Sequence, residues 1–263
     1  MDGDEVFFLV LASAIGISAL CRWYLPLWRV DPLLSGSRSR TLLALPPILS
    51  LGGVGVVLLN WADPQVRDAP QYWLLFLMGG AMWLAFPMMV LPILGISPRF
   101  DALDRANLPA TIVSASALFA TTIVYAAANI GTGPTIWTTI GPAALGTAAM
   151  LCAWFVYRLL SPAWEDVAIG RDLAAGARIS AFLLATAVIL APPLAGNWVS
   201  TTATWNDLLR QGWPVIPLVV AAAVADRYFT PTARQPRPSI TFAGTAVGAC
   251  WLAVAAAAAV ALR

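Results

Sequence analysis

Five polar side chains, Thr111, Ser114, Thr121, Tyr125 and Asn129, stand at steps of three, seven, four and four in an otherwise apolar run. Those steps keep them near one face of a helix. A stripe of hydroxyls with one amide can line a water-accessible passage. The same groups can also bond to their own carbonyls or across to a neighbouring helix. The next apolar run opens with Pro134, Thr135, Thr138 and Thr139. Proline suits the first turn of a helix, and free N–H groups at such a start could receive an anion or a carbonyl. Thr121, Tyr125, Asn129, Thr135 and Thr138 are therefore the candidate cavity residues.

Ionisable groups inside apolar runs are few. Arg178 lies one to two turns into its run and Asp226 near the end of another. An ion pair near the membrane surface and a coupling carboxylate are the two readings. The segment Asp101-Ala102-Leu103-Asp104 is a DxxD, and Glu165, Asp166 and Asp172 follow in a later connection. Two facing carboxylate clusters could hold Mg²⁺ against a diphosphate, as in intramembrane prenyltransferases. Against that, this chain has Leu108 where their first motif continues to a third aspartate, and the second cluster is spaced differently. Every basic residue is arginine, and there is no histidine. Lysine Schiff bases, P-loops, imidazole proton relays and His-containing metal sites are excluded. No metal or cofactor is expected, no catalytic residue is assigned, and a net charge of +2 gives no reason to expect nucleic acid.

The elements that must position these groups are membrane helices. Charged residues make up 11% of the chain and hydrophobic ones 60%, with a mean hydropathy of +0.78, where a soluble domain carries about 25% charged residues. Apolar runs long enough to cross ~30 Å of hydrocarbon predict helices at about 6–28, 40–60, 71–95, 109–130, 134–160, 173–196, 212–229 and 238–262. The expected fold is all-α, a polytopic bundle of about eight helices forming a single transmembrane domain over residues 1–263. Arginines cluster in the odd connections (Arg22, Arg29, Arg38 and Arg40; Arg99 and Arg105; Arg158 and Arg171; Arg227, Arg234 and Arg237), while the even ones hold Arg67 and Arg210. That bias places the odd connections in the cytoplasm and both termini outside. Trp61, Trp73, Trp137, Trp198, Trp205 and Trp213 fall at the opposite helix ends, the level an indole favours. The acidic start Met1-Asp2-Gly3-Asp4-Glu5 lacks the basic region of a cleavable signal, so an uncleaved first helix is expected. Residues from Leu25 to Ser39 read as an interfacial segment.

Other features concern packing. Arg105–Ala115 is similar to Arg171–Ala181 at a spacing of about 66 residues, and Tyr157–Pro162 is similar to Asp226–Pro231. Hairpin repeats over about 40–95, 105–162 and 171–231 follow, arranged about an axis along the membrane normal. Pro46-Pro47, Pro87, Pro92, Pro142, Pro192-Pro193 and Pro217 interrupt helices, with Pro192-Pro193 the best candidate for a broken one. Gly244 and Gly248 form a GxxxG, suited to packing within the fold or to a second copy. Gly52-Gly53 and Gly79-Gly80 suit close approach inside the bundle. Cys21, Cys152 and Cys250 have no CxxC spacing and read as buried apolar residues.

The helix opening Arg171, Leu173-Ala174-Ala175-Gly176 and Ile179-Ser180-Ala181-Phe182, the tryptophan-bearing turn and the closing arginine-proline segment resemble a bacterial inner-membrane family of repeated two-helix units, the domain of unknown function numbered three hundred and fifty. The resemblance covers about residues 100–231 and implies architecture and an inner-membrane location. It implies no activity. Two functional classes follow: a small-solute or ion permease, or a non-catalytic membrane subunit or scaffold, with the transferase as a third. The expected partners are the lipid bilayer and further copies or other membrane subunits. The stripe discriminates: facing water it favours permeation, packed and bonded it favours the scaffold.

Overall fold

A computed structural model describes residues 1–29, 37–230 and 239–262. Among them eight helical segments are long and apolar enough to cross a membrane. They are α1 (Gly3–Arg29), α2 (Ser37–Asn60), α3 (Pro70–Ile93), α4 (Leu108–Ala128), α5 (Trp137–Leu160), α6 (Leu173–Leu194), α7 (Thr201–Tyr228) and α8 (Ile240–Ala261). No strand occurs among the described residues, and a single isolated bridge joins Ala62 to Gly131. In hydrocarbon each backbone polar group needs an internal partner, which is why these runs form helices. The chain is a multi-pass membrane protein with an all-α fold.

The centre is the parallel pair α4 and α6. Small residues set their distance: a Cβ on Gly176 of α6 would lie 2.8 Å from the Cβ of Pro109 on α4. The share of its apolar window buried is 78% for α6 against 28% for α1 and for α8, so the first and last helices are peripheral. α8 lies along α6 so closely that a Cβ on Gly244 would lie 3.0 Å from Ala174 Cα and one on Gly248 2.9 Å from Ala181 Cβ. The GxxxG is therefore consumed inside the fold. In α1, a Cβ on Gly16 would lie 2.8 Å from the Cβ of Ala81 on α3. Gly79 sits against the Tyr125 ring, whereas Gly52 and Gly53 are exposed, and a Cβ on either would meet nothing within 4 Å among the described residues.

The helices define two faces. Gly3 and Ala261 lie at one, called here the terminal face, and most of the described arginines lie at the other. At the arginine-rich face the entries into α4 and α6 use one device, 65 residues apart. Ala106 and Arg171 take left-handed backbone at φ 48° and 53°, and the next residues, Asn107 and Asp172, cap their helices by accepting from Ala110 N (3.3 Å) and Ala174 N (2.8 Å). Asn107 N donates to Asp101 O and Asp172 N to Asp166 O, at 3.1 and 3.0 Å. Left-handed backbone at a residue with a side chain costs of order 1–3 kcal/mol, which the cap and the packed helix start offset. The matched positions are 65 residues apart rather than the 66 of the best sequence overlay.

Several expectations change. The seventh segment begins at Thr201, capped by Ser200 Oγ accepting from Ala203 N at 3.0 Å. Its first half is too polar for a hydropathy window to register, so reading began only at Gly212. A break at Trp213-Pro214 separates Thr201–Gly212 from Val215–Tyr228. Pro192-Pro193 does not break a helix in mid-membrane. The α-helix ends at Leu190, and the pair forms a 3-10 turn, Pro192–Leu194, at the terminal face. The fifth helix starts at Trp137, so Pro134 precedes it instead of occupying its first turn. α1 continues to Arg29, and the rest of the interfacial segment falls on residues 30–36, outside the described residues, as do Pro231, Arg234 and Arg237. The three cysteines are free and exposed. A bilayer solvates outward apolar side chains, so apolarity there does not mean burial in protein.

Candidate functional site

The stripe on α4 faces the interior of the bundle. Thr111, Ser114 and Thr121 have no exposed surface, and neither has Tyr125. Each hydroxyl donates to the carbonyl four residues back: Thr111 to Asn107 (2.9 Å), Ser114 to Ala110 (2.8 Å) and Thr121 to Ala117 (2.9 Å). Tyr125 Oη donates across to Phe76 O of α3 at 2.7 Å, the space being left by Gly79. Asn129 Nδ2 donates to Tyr125 O at 2.8 Å. The hydroxyls of the stripe are spent on backbone carbonyls, and Val113, Ala117, Leu118 and Val124 around them have no exposed surface. Thr121 and Tyr125 line no cavity. Asn129, Thr135 and Thr138 do.

That cavity, of about 110 Å³, opens at the terminal face. Three connections build its wall. Gly131 N donates to Trp61 O at 3.1 Å, Gly196 N to Ile130 O at 2.7 Å and Trp198 N to Thr132 O at 2.9 Å. Gly131 and Gly196 hold φ of 113° and 121°, and Gly131 lies so close to Gly196 that no Cβ fits between them. Glycine is what both positions require. Asn197 Oδ1 accepts from Thr132 N (3.1 Å) and Thr132 Oγ (3.0 Å), which ties the second and third connections. Glu5, Asp63 and Asp207 line the cavity and, among the described residues, no arginine does. Glu5 Oε2 accepts from Tyr72 Oη at 3.1 Å, and Asp63 Oδ1 from Gln65 N at 2.8 Å. Thr138 Oγ donates to Thr135 O at 2.6 Å. At the start of α5, where an anion or a carbonyl was expected, the surroundings are acidic and Thr138 N and Thr139 N donate to Thr135 O and Ile136 O.

Toward the arginine-rich face, Arg178 and Asp226 meet, both with no exposed surface. Arg178 Nε donates to Asp226 Oδ1 at 2.6 Å and Nη1 to Ala243 O at 2.8 Å. The other carboxylate oxygen accepts from Tyr157 Oη and from Ser161 Oγ, the latter at 2.5 Å. Ser161 Oγ in turn accepts from Ala163 N at 3.1 Å. Phe182 stacks on Tyr157 at 4.1 Å, and Phe229 lies 5.5 Å from the guanidinium carbon. The Ala243 carbonyl comes from the π-helical opening turn of α8, Ile240–Ala246, a geometry often found at functional positions. Within this network Arg178 Nη2 has no hydrogen-bond partner among the described residues. The ion pair read from the sequence forms, with both side chains fully buried in protein, and it closes a network across α5, α6, α7 and α8. Tyr157 and Ser161 were missed as its members. Their spacing of four before Pro162 was visible, but nothing local pointed them at a residue 69 and 65 positions away.

The DxxD serves structure. Asp101 Oδ2 accepts from Ser97 N at 2.8 Å and Oδ1 from Arg105 at 3.2 Å. Among the described residues no three His, Cys, Asp or Glu side chains are grouped to hold a metal ion. Asp166, at the arginine-rich face, has its carboxyl held above the usual carboxylate range, first by burial and then by the charge of Asp172.

Fold and sites together define a multi-pass membrane protein with its polar groups concentrated at the two ends. No family model matches the chain. No curated protein matches it, and no solved structure does.

Proposed function

We propose that the chain is a non-catalytic membrane subunit or scaffold of a larger assembly in a bacterial inner membrane, with both termini outside. The observation that carries this reading is the spent stripe: Thr111, Ser114, Thr121 and Tyr125 are fully buried and bonded to backbone carbonyls, and only Asn129, at the end of the stripe, borders a cavity. A passage needs those groups facing water. The orientation rests on the arginine bias, and the bacterial assignment on the resemblance to the family of repeated two-helix units, which also suggests the hairpin repeats. The 65-residue spacing of the two capping devices supports duplication of the central pair.

Native mass spectrometry after gentle extraction from the source membrane tests the proposal. A stoichiometric second polypeptide, released by substitutions on α1 or α8 but not by substitutions at the cavity, is expected. A protein that runs alone contradicts it. For the orientation, a reporter active only outside, fused after Arg263, should be active, and a silent fusion reverses the topology.

A second reading is favoured by the acidic cavity. Glu5, Asp63, Asp207, Asn129, Thr135 and Thr138 surround a space suited to a small cation or polyol, and a permease closed toward the arginine-rich face would present such a vestibule. Replacing Asn129 by leucine would then abolish flux in liposomes while the protein stays folded. Unchanged flux removes this reading.

A further inference from the structure

The largest cavity described, about 510 Å³, belongs to neither end site. It is a fissure between α1 and the second half of α3, floored by Leu43 of α2 and closed below by the Ser97–Arg99 turn. Its volume lies within the ~300–1,000 Å³ of small-molecule sites. Ile15, Leu27, Leu43 and Met88 make its walls apolar, and two cations, Arg22 and Arg99, stand on its lining with no carboxylate among the described residues there.

Three arginines elsewhere on this face have carboxylate partners. Arg105 pairs with Asp101, Arg158 with Glu165, and Arg178 with Asp226. Neither Arg22 nor Arg99 has a carboxylate partner among the described residues. Arg22 stands about two turns before the end of α1, deep enough for its stem to lie along the apolar wall while its head reaches the headgroup level. Arg99 reaches the same fissure from the turn. An apolar trough with two unmatched guanidinium groups is complementary to a molecule with a hydrocarbon chain and a phosphate. Arginine binds phosphate through paired N–H groups in its planar fork.

We propose that this fissure is a binding site for one anionic phospholipid. An acyl chain lies between α1 and α3, and Arg22 and Arg99 hold the phosphate. The site is independent of the scaffold reading.

The test is retention of lipid by purified protein. Protein exchanged into nanodiscs containing phosphatidylglycerol and phosphatidylcholine with the same acyl chains is extracted, delipidated stepwise and weighed by native mass spectrometry. The account predicts one phosphatidylglycerol retained in preference to phosphatidylcholine, and at least a tenfold loss of that preference in the R22Q/R99Q double variant. Ser18→Trp, which fills the fissure, should give the same loss with both arginines present. The control R171Q/R227Q, on the same face but outside the fissure, should retain lipid as the parent does, and an unchanged thermal midpoint in all variants keeps the comparison valid. Glycerol phosphate in excess should not displace the lipid. Equal retention of both lipids, equal loss in the control pair, or full displacement by glycerol phosphate would each overturn the proposal, the last by making the site one for free phosphate esters.

Discussion

The two ends of the bundle handle charge in opposite ways. At the terminal face three carboxylates border an open cavity whose walls are backbone, tied by the Gly131 and Gly196 turns. Solvent solvates these carboxylates, so few side chains are committed to them. Toward the other face a single carboxylate, Asp226, takes Arg178, Tyr157 and Ser161 from two other helices. Burying a charge is tolerable only when it is paired and hydrogen-bonded, so this network must be built completely. One end is therefore chemically adaptable and the other is a fixed joint of α5, α6, α7 and α8. Between them lies a layer whose polar groups are already spent.

That contrast sets the order of expected effects. Asp226→Ala strands the Arg178 cation and should cost about 3–5 kcal/mol of stability in micelles. The double change Arg178→Leu with Asp226→Leu should recover most of it, because an apolar pair of similar volume can replace a buried ion pair. A double variant as unstable as the single one would mean that the network does more than satisfy its own charges. Gly176→Ala forces the Pro109 backbone away from α6 and should cost about 1–3 kcal/mol by overpacking. Tyr125→Phe leaves the Phe76 carbonyl without its donor and should cost about 1 kcal/mol, read from denaturant or thermal unfolding. The smallest effect is at Asp166. Its carboxyl is raised by burial and by Asp172, with Asp226 and Glu165 adding and Arg178 opposing. A carboxyl with a folded pKa above its unfolded one weakens the fold where both states are ionised, and the penalty vanishes once both are protonated. Asp166→Asn should therefore be more stable than the parent near neutral pH. The difference should shrink as pH falls through the raised pKa toward the ordinary carboxylate value. A difference that grows on acidification reverses the assignment.

Much of the architecture was legible because the bilayer imposes it. Run lengths predict the eight passes, and only the polar first half of α7 (Thr201–Gly212) was lost, since a membrane-length helix with Asn206, Asp207 and Arg210 in one stretch fails a hydropathy window. The spacing of Thr111 to Asn129 correctly places those groups on a common helix face. It carries no information on whether that face meets water or a neighbour. Here Gly79, on another helix, decides by admitting the Tyr125 ring. The pairing of Arg178 with Asp226 was readable from their rarity. Their burial was not, because it depends on Phe182, Phe229 and the α8 turn closing over them. Charged residues at the terminal face, Glu5, Asp63 and Asp207, come from three separate segments, and only the fold unites them.

The most direct test of the spent interior is cysteine accessibility. In a background with Cys21, Cys152 and Cys250 replaced by alanine, single Thr121→Cys and Thr135→Cys variants are exposed to a membrane-impermeant thiol reagent. The account predicts rapid labelling at position 135, which is exposed at the terminal face, and none at position 121, which is fully buried. Labelling of position 121 at a comparable rate would show a water-filled path along α4, contradict the packed interior and turn the functional reading to permeation.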